Sequence, residues 1–159
     1  MPQGGSSVTT IGWVEWASLP DLGVARLAAK VDTGARTSAL HVLGMLKVGE
    51  LPPAAPGGQP RAVVELKIPS ATRARKQVVV TAQAVIEELV VIRDSGGHPE
   101  RRPVIVTALV LGPLHAKIRV SLTDRGDMAY PMLIGRTALG SKLLVDPHTR
   151  FRATGPRSR

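Results

Sequence analysis

The sequence predicts an all-β domain, a barrel or a sandwich carrying one short helix. Apolar runs of strand length, rich in Val, Ile and Leu, recur from one end of the chain to the other. Short turns built from Gly, Pro, Asp and Ser separate them. Only residues 136–141 read as one or two turns of helix. At 159 residues the chain suits one domain with a sizeable core, and no internal repeat is visible.

Residues 1–7 are polar and glycine-bearing, the composition of a disordered terminus, so the domain is expected over 8–153 with a basic tail at 154–159. Residues 8–16 alternate loosely and predict a first strand; the run Leu19-Pro20-Asp21-Leu22-Gly23 is a turn. Residues 24–31 form a second strand that delivers the chain to Asp32. Between 38 and 48 the apolar spacing fits strand or helix equally. Pro52, Pro53, Pro56, Gly57, Gly58 and Pro60 make 51–60 the clearest loop, because proline removes ladder donors and glycine weakens ordered backbone. It splits a hairpin without separating domains. Residues 61–68 and 77–86 are strands around a basic turn at 69–76. Residues 89–92 and 104–111 are apolar strands around the polar run 93–102, a hairpin with a mobile tip at Ser95-Gly96-Gly97-His98. Residues 116–123 alternate as a strand, 124–127 turn, and 142–145 return to strand.

Composition removes several function classes. There is no cysteine, hence no disulfide framework and no thiolate metal site. No apolar run reaches membrane-spanning length and the N-terminus lacks a secretory pattern, so the expected location is cytoplasmic, with no membrane partner. Lysine and arginine outnumber acidic residues 21 to 12, a formal charge of +9 that favours acidic partners. Nucleic acid is not expected, because Trp13, Trp16, Tyr130 and Phe151 are the whole aromatic complement and no stacking platform interleaves the basic clusters.

The candidate chemistry lies at Asp32-Thr33-Gly34-Ala35. An aspartic peptidase needs a carboxylate on a rigid turn, a hydroxyl to brace that turn and a small residue beside it so that substrate backbone can approach. Asp32, Thr33 and Gly34 supply these. It also needs a second carboxylate, because two close carboxyls share a proton and divide the roles of acid and base. With one such motif per chain, a second copy across a two-fold axis could supply the partner, so the motif predicts a dimer if it predicts an enzyme. The tripeptide alone is also an ordinary turn.

Context strengthens it. An apolar strand precedes Asp32, and Leu133-Ile134-Gly135-Arg136 follows about a hundred residues later. The pairing resembles the retropepsins, homodimeric aspartic peptidases. It is more similar still to a bacterial retropepsin-like group often labelled "ATP-dependent zinc protease", associated with ATP-grasp ligases that add glutamate to ribosomal-protein tails. The matching runs are Ile11-Gly12-Trp13-Val14-Glu15-Trp16, Ala29-Lys30-Val31-Asp32-Thr33-Gly34-Ala35-Arg36-Thr37-Ser38-Ala39-Leu40-His41, Leu122-Thr123-Asp124-Arg125, Tyr130-Pro131-Met132-Leu133-Ile134-Gly135-Arg136 and Val145-Asp146-Pro147.

The resemblance implies a closed retropepsin-like barrel, with strand over 38–48. It implies catalysis by Asp32, Thr33 and Gly34, with Thr33 locking the two turns across the dimer. Ala35 packs beneath and joins Ile134 and a flap tip of Ser95, Gly96 and Gly97 in holding peptide, while Gly135 and Arg136 support the turn. The 89–111 hairpin stands where retropepsins carry the flap, though paired glycines fit a plain exposed hairpin equally. The acid that usually partners the structural arginine is absent, Arg36-Thr37-Ser38 standing there instead. Lys30 shares a strand face with Asp32, and its ammonium is expected to reach solvent. Ala29, Val31, Ala35, Leu40 and 142–145 are the expected dimer face.

No zinc ligand set and no phosphate loop supports the family label, so neither a metal nor another cofactor is expected; His41, His98, His115 and His148 are scattered singly. Three functions follow: a homodimeric endopeptidase acting on a peptide or protein, an inactive binding module partnering an ATP-grasp ligase, or a binder of an acidic protein tail or nucleic acid.

Overall fold

The computed structural model describes residues 7–72, 74, 76–93, 96–124, 126 and 129–155. Its strands are β1 (Thr9–Gly12), β2 (Val14–Leu19), β3 (Val24–Asp32), β4 (Ser38–His41), β5 (Gly44–Leu51), β6 (Arg61–Ala71), β7 (Gln77–Val85), β8 (Glu88–Arg93), β9 (Pro99–Leu111), β10 (Leu114–Thr123), β11 (Met132–Gly135) and β12 (Leu143–Asp146). Helix α1 covers Arg136–Leu139, shorter than the predicted 136–141, and stops at Gly140 with φ 63°. The fold is the predicted all-β one.

Strands β10, β4, β11, β3, β2 and β9 pair in that order, and β9 pairs back onto β10 to close a ring; β8 extends from β9. Strand β11 lies between β3 and β4, parallel to the first and antiparallel to the second. The segment joining β3 to β4 must therefore cross over the end of β11. That crossing carries the D-T-G turn.

Alternation builds the barrel wall. In β3, Leu27, Ala29 and Val31 are buried while Lys30 is exposed, the period of two expected for one face packed on a core. Ala17 pairs with Leu27 and Leu19 with Val24, so β3 carries one extra residue there, a bulge that resets the phase and keeps Val24 inside. Ile11, Leu19, Leu40, Ile105, Leu109, Leu111, Met132 and Ile134 complete the interior. The sheet β5-β6-β7 lays Val64, Leu66 and Ile68 of β6 against the same core, leaving β5 almost wholly exposed.

Burial corrects two expectations. Ala29, Val31 and Leu40 are buried in the barrel interior and offer no surface to a partner; of that set Ala35, Leu143 and Val145 are half-buried, and Lys142 and Leu144 are exposed. Ile134 likewise points into the core, so it supports the barrel wall and presents no side chain to a peptide.

The predicted strand over 8–16 is broken at Trp13. Strand β1 pairs in parallel with β12, and β2 enters the barrel. Glu15 explains the break, since its fully buried carboxylate takes the N–H of Gly12 at 2.6 Å, the N–H of Thr154 at 3.0 Å, the Thr154 hydroxyl at 2.7 Å and the N–H of Ala153. A buried charge needs such partners, and collecting them folds the C-terminal segment onto β2. Ala153 and Thr154 are thereby held against the barrel. All four aromatic side chains pair internally, Trp16 stacking on Phe151 and Trp13 meeting Tyr130 edge-on.

Candidate active site

Asp32 ends β3, half-buried, and register places it opposite Gly135 of β11. Its Oδ1 accepts the N–H groups of Gly34 at 3.0 Å and Ala35 at 3.2 Å. Ala35 also donates to the Asp32 carbonyl at 3.2 Å. The carboxylate is thereby fixed to its own turn through one oxygen, and Oδ2 takes no bond from the described residues. Thr33 and Gly34 are exposed at the crest.

The other side of the turn is clamped by the start of α1. Three consecutive carbonyls accept from it. The Gly34 carbonyl takes Arg136 Nη1 at 3.2 Å, the Ala35 carbonyl takes the Arg136 N–H at 2.8 Å, and the Arg36 carbonyl takes the Thr137 hydroxyl at 2.6 Å. The Gly135 N–H donates to the buried Ser38 Oγ at 3.1 Å, tying the far end of the turn to β11. Arg136 therefore meets the turn at a backbone carbonyl, with Arg36-Thr37-Ser38 standing where an acidic partner was expected. Ser38 and Thr137 escaped sequence reasoning. A hydroxyl in the first turn after Gly-Arg was the available signal, but its acceptor lies about a hundred residues away and is visible only in the fold.

Thr137→Val tests the clamp. It removes the hydroxyl bond and keeps the shape, so we expect a loss of about 1 kcal/mol in stability, read by thermal denaturation. An unchanged melting temperature would show that the bond contributes nothing.

The β8–β9 hairpin stands over this region. Glu88, Val90 and Ile92 share the inner face of β8, while Leu89 and Val91 face solvent. Beneath lies a cavity of about 150 Å³ lined by Thr37 of the 32–38 turn, Glu88, Val90, Ile92, Val104, Arg119 and Ser121. Gly97 occupies the exposed tip with φ 79°, a conformation that favours glycine, and its carbonyl accepts Arg93 Nη1 at 3.1 Å. Gly96 and Gly97 line no part of that cavity, and Ser95 lies outside the described residues. Lys30 is exposed, as its long stem allows.

Among the described residues no group of three or more His, Asp or Glu side chains is placed to hold a metal. Asp146 and His148 meet through the His148 backbone N–H, at 2.8 Å from the Asp146 carboxylate, and not through the imidazole. That bond is the main reason the Asp146 carboxyl lies below its ordinary range. No helix of the described residues is long and apolar enough to cross a membrane.

A closed barrel whose single D-T-G turn is clamped by a Gly-Arg strand end and its helix defines a retropepsin-like domain. Residues 10–156 match the family described as retropepsin-like aspartic endopeptidase RimB, and the chain belongs to that RimB-like family. It is 34% identical over 141 residues to a probable alpha-L-glutamate ligase of Shewanella pealeana, a match covering 89% of this chain and 29% of that protein. A protein of the same name from Parasynechococcus marenigrum is 36% identical over 137 residues, 86% of this chain and 28% of its own length. The chain thus spans less than a third of these relatives. A crystal structure of a Legionella pneumophila protein of unknown function (DUF785) superposes with a TM-score of 0.67 at 27% identity, covering 91% of this chain and 98% of the other.

Proposed function

We propose that the chain is an aspartic endopeptidase working as a homodimer, with one Asp32 from each subunit, and that its substrate is an acidic polypeptide. The observation that carries this reading is Asp32 itself, held by two amides of its own turn on a loop clamped at three successive carbonyls. Two such carboxyls facing across a two-fold axis hold one proton between them. A water bound to both loses a proton to the ionised member as its oxygen attacks the peptide carbonyl; the protonated member donates to the carbonyl oxygen. The resulting gem-diol collapses with proton transfer to the leaving nitrogen. An acidic substrate suits a net charge of +9, exposed Arg36 on the turn and Arg119 beside the cavity. It also suits relatives in which the corresponding region belongs to proteins named glutamate ligases.

The dimer makes a distinctive kinetic claim. Specific activity falls on dilution as monomers separate, and excess Asp32→Asn protein, exchanged into wild-type dimers, suppresses activity because each mixed dimer lacks half of the dyad. Sedimentation and cleavage of a peptide library over the same concentration range test both. A monomer that cleaves peptides at full rate would overturn the shared dyad. A second reading, a noncatalytic module that partners a ligase, draws on the ligase relatives; a monomer that cleaves nothing would favour it.

A further inference from the structure

The cavity under the β8–β9 hairpin has a composition that the general mechanism does not use. About 150 Å³ holds one side chain, not a stretch of peptide. Val90, Ile92 and Val104 make aliphatic walls suited to methylene groups, and Thr37 and Ser121 supply hydroxyl-bearing surface. Arg119 is the one cation of the lining, and Glu88, on the same inner face of the hairpin as Val90 and Ile92, forms an ion pair with it. The chain's own glutamate therefore meets the arginine that an incoming carboxylate would seek.

That pair is easily exchanged. Arg119 and Glu88 are 53% and 47% exposed, so water screens their attraction and each head group is solvated when they part. An incoming carboxylate with its stem against the three aliphatic walls replaces Glu88 with little net loss of charge pairing. Its methylenes gain burial that Glu88, anchored on the flap strand, does not. A guanidinium can also donate two parallel hydrogen bonds to a carboxylate, which a neutral amide of the same size cannot match as an acceptor. Thr37, on the turn that carries Asp32, lines this cavity, so the pocket adjoins that turn.

We propose that Arg119 is a specificity-determining residue that binds a glutamate-sized acidic side chain near the scissile bond, and that Glu88 is a resident competitor displaced when substrate enters. The assignment rests on the peptidase reading above, and its test separates the two. A single Glu, or a Gln or Lys in its place, is moved one position at a time through a short neutral peptide. Cleavage is measured with the wild type, Glu88→Gln, Arg119→Gln and the charge-swapped pair Glu88→Lys with Arg119→Glu.

At one position the wild type prefers Glu to Gln. Glu88→Gln lowers KM for that Glu peptide by about fivefold, with kcat changed less than about twofold, as expected for removing a half-exposed competitor. Arg119→Gln abolishes the preference. The swapped pair, which keeps an ion pair in place, prefers Lys there. A Glu-to-Gln ratio that stays the same in all four proteins while cleavage persists would overturn the subsite.

If the wild type cleaves no peptide, the peptidase reading has failed on its own. Binding of the same peptides, followed by fluorescence anisotropy, then decides the subsite. Glu-over-Gln discrimination lost in Arg119→Gln supports it, and equal binding in every variant overturns it.

Discussion

Asp32→Asn should lower peptide hydrolysis by about 10⁴-fold, the upper range for loss of a positioned acid–base group, while leaving fold and assembly essentially intact. The two expectations come from the same bonds. Asp32 Oδ1 accepts from the Gly34 and Ala35 amides. The carbonyl oxygen of asparagine can occupy that position and accept both, so the turn keeps its internal ties, and the amide points where Oδ2 was. What disappears is proton exchange. An amide neither takes a proton from water nor donates one to a carbonyl in the required cycle, and in a homodimer the substitution removes both members of the dyad at once. Cleavage of a peptide library by the purified variant, beside its melting curve and sedimentation profile, reads the two halves separately. Turnover at the wild-type rate would move the chemistry away from Asp32. Loss of activity together with a collapsed melting temperature would instead show that the charge of Asp32 is needed to build the turn.

The parts of this protein readable from sequence are those governed by local rules. The apolar strand before Asp32, the proline-rich loop between β5 and β6, and the Gly-Arg boundary between β11 and α1 each carry their signal within a few residues. The unreadable parts depend on contacts made far along the chain. Trp13 interrupts a run that alternates well enough to be one strand, and the cause is a carboxylate at Glu15 whose donors include Ala153 and Thr154. Three residues of the expected dimer face proved to be core for a related reason. A small apolar residue such as Ala29 or Val31 reads identically whether it faces a core or a partner, and only closure of the ring through β9 and β10 shows that both point inward. The β8–β9 hairpin was legible as a hairpin. Its inner face, with Glu88 opposite Arg119, was not, because those residues belong to strands separated by β9 and meet only through the sheet.

Gly135→Ala is the second substitution expected to have a large effect, and it acts without touching any catalytic group. A Cβ built at position 135 would stand 2.5 Å from the carbonyl carbon of Thr37, 2.6 Å from its oxygen and 2.8 Å from its nitrogen. All three are backbone atoms, so no side chain can swing aside to relieve the contact. The backbone has little freedom either, since Thr37 lies between Arg36, whose carbonyl is held by Thr137, and Ser38, whose hydroxyl is held by Gly135 itself. The clash must push the 32–38 turn away from β11, stretching the clamp that orients Asp32. We expect a stability loss of about 3 kcal/mol, the upper range for forcing an extra carbon into a packed site. That corresponds to roughly 6–12 °C in melting temperature for a chain of this size. Displacing the carboxylate by about 1 Å should also cost about 10²-fold in kcat in the fraction that remains folded. Gly126→Ala is the control, because a Cβ there meets nothing within 4 Å. If Gly135→Ala melts and turns over like Gly126→Ala, the turn has room that these contacts deny, and the clamp is not what positions Asp32.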